Sequence, residues 1–178
     1  MTANERKLLS SEMIYSGKII NLRVDTITLP DGRHATREVV EHKGAVAIVP
    51  VNGQGEVILV RQPRHATGET LLEIPAGKLE EGEVPTVCAR RELQEETGFV
   101  ADSIEKLFSC YSTPGFTNEY LHIYLATGLT YTAENPDYDE DIEIISKPLS
   151  EAIELIWNGG IRDAKSICGI LAAATRLK

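Results

Sequence analysis

Apolar and polar residues alternate along IINLRVDTITL (19–29), the period-two pattern of a strand buried on one face. PDGR at 30–33 supplies turn chemistry, and ATREVVEH (35–42) resumes as a second strand. GAVAIVPV (44–51) is apolar almost throughout, which suits a central strand covered on both faces. NGQG (52–55) predicts a hairpin loop, with EVILVRQ as the return strand beside the first. LLEIPAG (71–77) reads as one short strand ending at Gly77. A helix is expected from Pro85, a residue suited to a first helical turn, to Gly98, a suitable C-terminal cap with Phe99 beside it. Ala89 and Leu93, four apart, would face the sheet, with Val87 nearby, and Glu96 would lie on the exposed side. IEKLFSCY (104–111) and EYLHIYLA (119–126) predict two more strands around STPGFTN. A polar acidic loop, ENPDYDED (134–141), precedes a short strand IEII and two helices, SEAIELIWN and DAKSICGILAAATRL.

Strands in runs with few helices predict an α+β fold, a mixed sheet with helices packed on it, and not a purely parallel βαβ sheet. No linker composition interrupts the chain. Residues 1–43 are expected to form a small antiparallel N-terminal sheet, and residues 44–178 the main domain.

The 178 residues suffice for one domain with a proper core. The net charge of −9 argues against general nucleic-acid binding, which wants a basic face. It does not exclude a phosphate ligand if cations screen the carboxylates. No apolar run reaches membrane-spanning length, and the N-terminus has no signal-peptide apolar core, so a cytoplasmic protein is expected. Cys88, Cys110 and Cys168 have no metal-site or disulfide spacing and are expected to be buried free thiols. His42, His65 and His122 lack ligand spacing and are expected to be structural or on the surface.

The predicted helix carries Glu92, Glu95 and Glu96 on one face, where like charges repel by a few tenths of a kcal/mol per pair. Glu83 lies in the loop that enters it, and Arg91 sits beside the cluster, able to orient a carboxylate by a bidentate contact. Converging carboxylates form a hard oxygen site suited to Mg²⁺, with Mn²⁺ as an alternative, and a bound cation would relieve the repulsion.

Gly77, Glu83, Arg91, Glu92, Leu93, Glu95, Glu96, Gly98 and Phe99 together satisfy the pattern G-x5-E-x7-R-E-U-x-E-E-x-G-U, where U is bulky and apolar. That pattern is the Nudix box, and the chain resembles the Nudix hydrolase family. The resemblance implies a mixed sheet between helices and hydrolysis of a nucleoside diphosphate linked to another group. It implies Glu92 and Glu96 as principal metal ligands with the Ala76 carbonyl, and Glu95 as a further ligand or an aid to the attacking water. Arg91 would orient the site and Glu83 would support it.

Pro114, sixteen residues beyond Gly98 and followed by GF and then Glu119, resembles the ADP-ribose pyrophosphatase subgroup, as do residues 15–157 more broadly. The likeness implies that Arg61 and Glu73 line the cleft and reach the phosphates or ribose. It places Arg37 and Glu38 at the adenine end and Glu119 near the terminal ribose. It also implies a homodimer to which the N-terminal sheet contributes and a small nucleotide-sugar substrate, while the charge and the apolar run lengths give the expectation of no nucleic-acid or membrane partner. Subgroup members often have RQYRY where this chain has RQPRH, so an aromatic stacking contact is expected to be lost, and GDP-mannose or another nucleotide sugar is the alternative substrate. Several of the subgroup carry a catalytic glutamate in an acidic loop before an I-x-V strand. Registering IEI there gives Glu140 as the base, with Asp139 and Asp141 as shifted alternatives and Glu95 or Glu96 as competitors.

Overall fold

A computed structural model describes residues 7–133 and 141–178. They form two compact units.

The first unit holds the described residues up to Gly44 together with Tyr111–Tyr120. Its sheet has the order β1-β2-β3, with β1 (Lys7–Ser16), β2 (Asn21–Thr28) and β3 (His34–Glu41) all antiparallel. The hydrophobic pattern missed β1. Register shifts between Leu8 and Ser10 and between Met13 and Tyr15 break its alternation, and all ten residues are exposed, so no buried face marks the strand. The Tyr111–Tyr120 segment is tied to β3 by Val40 N–H donating to the Phe116 carbonyl (2.8 Å) and Asn118 N–H to the Val40 carbonyl (3.2 Å).

The second unit contains two sheets. One has the order β7-β4-β9-β8, from β4 (Ala45–Pro50), β7 (Ala76–Lys78), β8 (Phe99–Tyr111) and β9 (Tyr120–Tyr131). The other has the order β10-β5-β6, from β5 (Glu56–Arg64), β6 (Glu69–Glu73) and β10 (Glu143–Pro148). Three helices complete it, α1 (Pro85–Thr97), α2 (Leu149–Trp157) and α3 (Ala164–Arg176).

As its apolar run requires, β4 is buried at every position. Its alternate residues feed two cores. Ala45, Ala47 and Val49 join Ile74, Ile123 and Ile170 on the α3 side, while Val46 and Ile48 join Cys88, Ala89 and Leu93 of α1. Gly169 brings α3 close, since a Cβ there would lie 2.9 Å from Ile74 Cδ1 and 3.0 Å from Val49 Cγ2. The mixed sheet therefore lies between helices, as an α+β fold predicts.

Two strand expectations are corrected. The NGQG turn forms, with Gly55 at φ 78° and Asn52 Oδ1 accepting the Gln54 and Glu56 N–H groups at 3.0 and 2.9 Å. Beyond a single Val51–Val57 bridge, however, β4 and β5 part into different sheets. The edges of β4 are taken by β7 and by parallel β9, leaving β5 none to pair with. LLEIPAG is likewise two strands in two sheets, because Pro75 has no N–H to continue a ladder and restricts Ile74 before it.

Candidate active site

Helix α1 starts with Pro85 at its first turn and ends on Gly98 in the left-handed region, φ 70°, whose N–H donates to the Gln94 carbonyl at 2.8 Å. Cys88, Ala89, Leu93, Glu96 and Thr97 form its buried face. Two expectations fail here. Val87 is 57% exposed, and Glu96, expected outside, is only 4% exposed. Glu96 is drawn in by a hydrogen bond, its Oε2 accepting the Ala76 N–H at 3.0 Å.

The remaining box carboxylates gather around Arg91. Its Nε and Nη2 donate to Glu83 at 3.1 Å each, and its Nη1 donates to Glu92 Oε1 and Glu95 Oε2 at 2.8 Å each. One guanidinium thus offsets the repulsion that the helical spacing creates. Hydrogen bonding from Arg91, with the Glu80 N–H adding, holds the Glu83 carboxyl down at about 2, and the same contacts raise Arg91 itself. Glu83 is set by a tight turn in which the Glu80 N–H donates to its Oε2 at 3.0 Å. Burial, with the neighbouring Glu83, pushes the Cys88 thiol up to about 12, so it remains protonated and is no soft ligand. Of the other cysteines, Cys110 is half-buried and Cys168 is exposed, correcting the expectation that all three are buried.

Gly77 has the closest approach in the site. A Cβ there would lie 1.8 Å from Glu92 Cδ, so only glycine lets the β7 backbone lie against that carboxylate. The donors fit a hard divalent cation, with carboxylate oxygens from Glu92 and Glu96 beside the backbone at Ala76–Gly77, Glu95 one helical turn away on Arg91, and no thiolate or imidazole among them. Among the described residues, no three Asp, Glu, His or Cys side chains already close around one point, because Glu92 and Glu95 lie on Arg91.

Glu73 is 1% exposed and ion-paired. Arg64 grips it with Nε and Nη2 at 2.8 Å each, and Lys165 Nζ reaches its Oε2. Burial alone would raise this carboxyl, but the Arg64 hydrogen bonds and the Lys165 charge bring it down to about 2. Arg64 went unnoticed in the sequence, where Arg61 was singled out. The β5–β6 register pairs Val60 with Glu73 and Arg61 with Leu72, so Gln62 and Arg64 share the face of Glu73 and Arg61 takes the other. Arg61 is exposed and pairs with Glu143 of β10 at 2.8 Å. Counting parity from Glu73 would have found Arg64, once the register was known. Glu73 raises the Arg64 pKa first, and the charge of Glu96 adds to it.

In the first unit, Arg37 and Glu38 lie on β3 opposite Asp25 and Val24, and Arg37 Nη1 donates to the Thr36 carbonyl at 2.7 Å. Glu119 lies 3.6 Å from His42 Nδ1, while Asn118 Oδ1 accepts the His42 N–H at 2.8 Å. His122 contacts Ser109 Oγ at 3.1 Å, and burial lowers its pKa. Glu140 and Asp139 lie outside the described residues, whereas Asp141 is exposed just before β10.

Residues 41–167 match the NUDIX domain model, and residues 7–40 match the nucleoside diphosphate sugar hydrolase N-terminal domain. The chain belongs to the Nudix family and is a Nudix hydrolase. It is 41% identical over 172 residues to an ADP-ribose pyrophosphatase of Bacillus subtilis, covering 96% of this chain and 93% of the relative. It is 40% identical over 168 residues to a methanol dehydrogenase activator of Bacillus methanolicus, covering 93% and 91%. Its fold matches the crystal structure of an ADP compounds hydrolase with TM-score 0.88 at 21% identity, covering 99% of this chain and 96% of the other. No helix among the described residues is long and apolar enough to cross a membrane.

Proposed function

We propose that this chain hydrolyses the pyrophosphate bond of ADP-ribose to AMP and ribose 5-phosphate, using Mg²⁺ or Mn²⁺ held at the box. The observation that carries the chemistry is the packing of Glu92 and Glu96 against the Ala76–Gly77 backbone, an oxygen-only set on a rigid helix. The substrate is supported by the 41% identity to a named ADP-ribose pyrophosphatase over nearly the whole chain. Glu92, Glu96 and the Ala76 carbonyl would hold the cation, with Glu95 a further ligand or an aid to the attacking water. When bound, the cation supplies charge neutralisation for the pyrophosphate and acidity for the attacking water. Arg91 offsets the repulsion among the carboxylates by holding Glu92 and Glu95 on one nitrogen, and Glu83 fixes Arg91.

Glu73 acts through Arg64, aiming the guanidinium at the substrate phosphates. Arg61 contacts the substrate from the opposite face of β5. Arg37 and Glu38 hold the adenine end, and Glu119 the terminal ribose. Glu140, from the acidic loop before β10, accepts the proton of the attacking water. A homodimer is supported by β1, whose Leu8, Leu9, Met13, Ile14 and Tyr15 are 45–57% exposed. Light scattering on the eluting protein tests the dimer.

The enzymatic test is a panel of ADP-ribose, GDP-mannose, UDP-glucose, diadenosine polyphosphates and dNTPs, with Mg²⁺ and with EDTA. Metal-dependent AMP release, fastest from ADP-ribose, is expected. Faster turnover of GDP-mannose would move the substrate to the second reading, another nucleoside diphosphate sugar. No turnover of any member would leave a nucleotide-binding domain without catalysis.

A further inference from the structure

Four consecutive residues leading into the box, Glu73 to Ala76, are each hydrogen-bonded by different partners, and the box's first residue, Gly77, packs closely against a further one. The Glu73 carboxylate is held by Arg64 and Lys165. Ile74 N–H donates to Ser166 Oγ at 2.9 Å. The Pro75 carbonyl accepts the Ile48 N–H at 2.9 Å. Ala76 N–H donates to Glu96, and Gly77 lies against Glu92. Two of these anchors, Lys165 and Ser166, come from the first turn of α3, a helix far from the box in sequence.

Ser166 is completely buried. Its hydroxyl donates to Asp163 Oδ2 at 2.6 Å, which orients the oxygen lone pairs toward Ile74. The same Asp163 oxygen caps α3 through Ser166 N–H at 3.0 Å and takes Lys165 Nζ at 2.9 Å. An acceptor held this way has one geometry, and Pro75 has no N–H with which to choose another ladder.

We propose that Ser166 is a positioning residue for the metal site. Its oriented hydroxyl fixes Ile74 and thereby the height at which Ala76 and Gly77 meet Glu96 and Glu92. The proposal rests on the reading of α1 as a metal-holding helix.

Mn²⁺ titration, followed by the paramagnetic resonance signal of free Mn²⁺, tests it without substrate. S166A and S166C remove the oxygen acceptor, the second by putting a larger and only weakly accepting sulfur in its place, and S166T keeps the hydroxyl but adds a methyl to a full site. S166A and S166C are expected to bind Mn²⁺ about tenfold more weakly than wild type and to lose kcat more than KM. S166T is expected to lose melting temperature by overpacking yet to keep wild-type Mn²⁺ affinity. Metal affinity and stability then separate, as a merely structural role would not allow. If S166A does not fold, the S166C and S166T pair carries the comparison. Wild-type Mn²⁺ affinity in S166C, or equal loss in S166T and S166C, overturns the proposal. A wild-type protein that takes up no Mn²⁺ defeats the metal reading of the box itself, an outcome distinct from any ranking of the variants.

Discussion

The Gly77 Cα faces the Glu92 carboxylate so closely that a Cβ would fall 1.8 Å from Glu92 Cδ and 1.9 Å from its Oε1. The first glycine of the box is therefore a wall of the site as well as the end of a strand. Gly77→Ala must displace Glu92 or β7 by more than an ångström. Misplacement on that scale costs about 100-fold in kcat. Steady-state kinetics on G77A, with circular dichroism to show an intact fold, measures it.

Glu96 separates charge from hydrogen bonding. Glu96→Gln keeps an oxygen to accept the Ala76 N–H but removes the anionic ligand, so kcat should fall by several orders of magnitude with little change in melting temperature. Glu96→Ala also leaves Ala76 N–H without its acceptor and should cost about 2 kcal/mol more in stability. Thermal melts of the two variants side by side check the difference. Near-normal turnover in E96Q would remove Glu96 from the metal site.

Arg91 offsets three carboxylates at once. Arg91→Ala should destabilise the chain by about 2 kcal/mol, the scale of lost charge-assisted hydrogen bonds. Because Glu83, Glu92 and Glu95 then repel without relief, added Mg²⁺ should restore part of the lost melting temperature in R91A and raise it less in wild type. Differential scanning calorimetry with and without Mg²⁺ decides this.

Glu140→Gln should lower kcat about 100-fold or more, the range of a lost general base, and leave Mn²⁺ affinity unchanged. An unaffected rate would return the base to Glu95 or Glu96. Repeating the kinetics with Asp139→Asn and Asp141→Asn separates the shifted registers.

Glu73 titrates at about 2 in the folded chain against an ordinary value of 4.5. A depressed carboxyl stabilises the fold above its ordinary pKa, and that stability disappears as pH falls through the folded value. The Arg64–Glu73–Lys165 cluster should therefore contribute about 3 kcal/mol at neutral pH, lost between about 4.5 and 2. Glu83 is depressed to about 2 as well and titrates over the same range. Urea midpoints followed down through that range should fall less steeply in Glu73→Gln than in wild type.

Local chemistry made α1 legible in the sequence. Pro85 and the nine box positions, Gly98 among them, are set by turn geometry and ligand spacing within one stretch of chain. The buried run of β4 was legible for the same reason, since a strand covered on both faces leaves no polar alternation. What escaped depends on distant partners. Strand β1 buries none of its residues, so no hydrophobic period announces it. The parting of β4 from β5 follows from β7 and β9 occupying the edges of β4, which the turn sequence does not encode. Arg64 could be preferred to Arg61 only after the register of β5 against β6 was known. Burial of Glu96 required the Ala76 N–H, which arrives from outside the helix.

The hydrogen bond from Ile74 to Ser166 joins residues 92 positions apart. During synthesis the ribosome releases every box carboxylate well before the helix that braces the strand beside them. A nascent chain ending before Asp163 would carry the whole motif with its lead-in unbraced. Contacts of such long range form late, after the loop-closure entropy has been overcome. Catalytic competence should therefore appear as one of the last events of folding, and refolding should restore helical signal before it restores turnover.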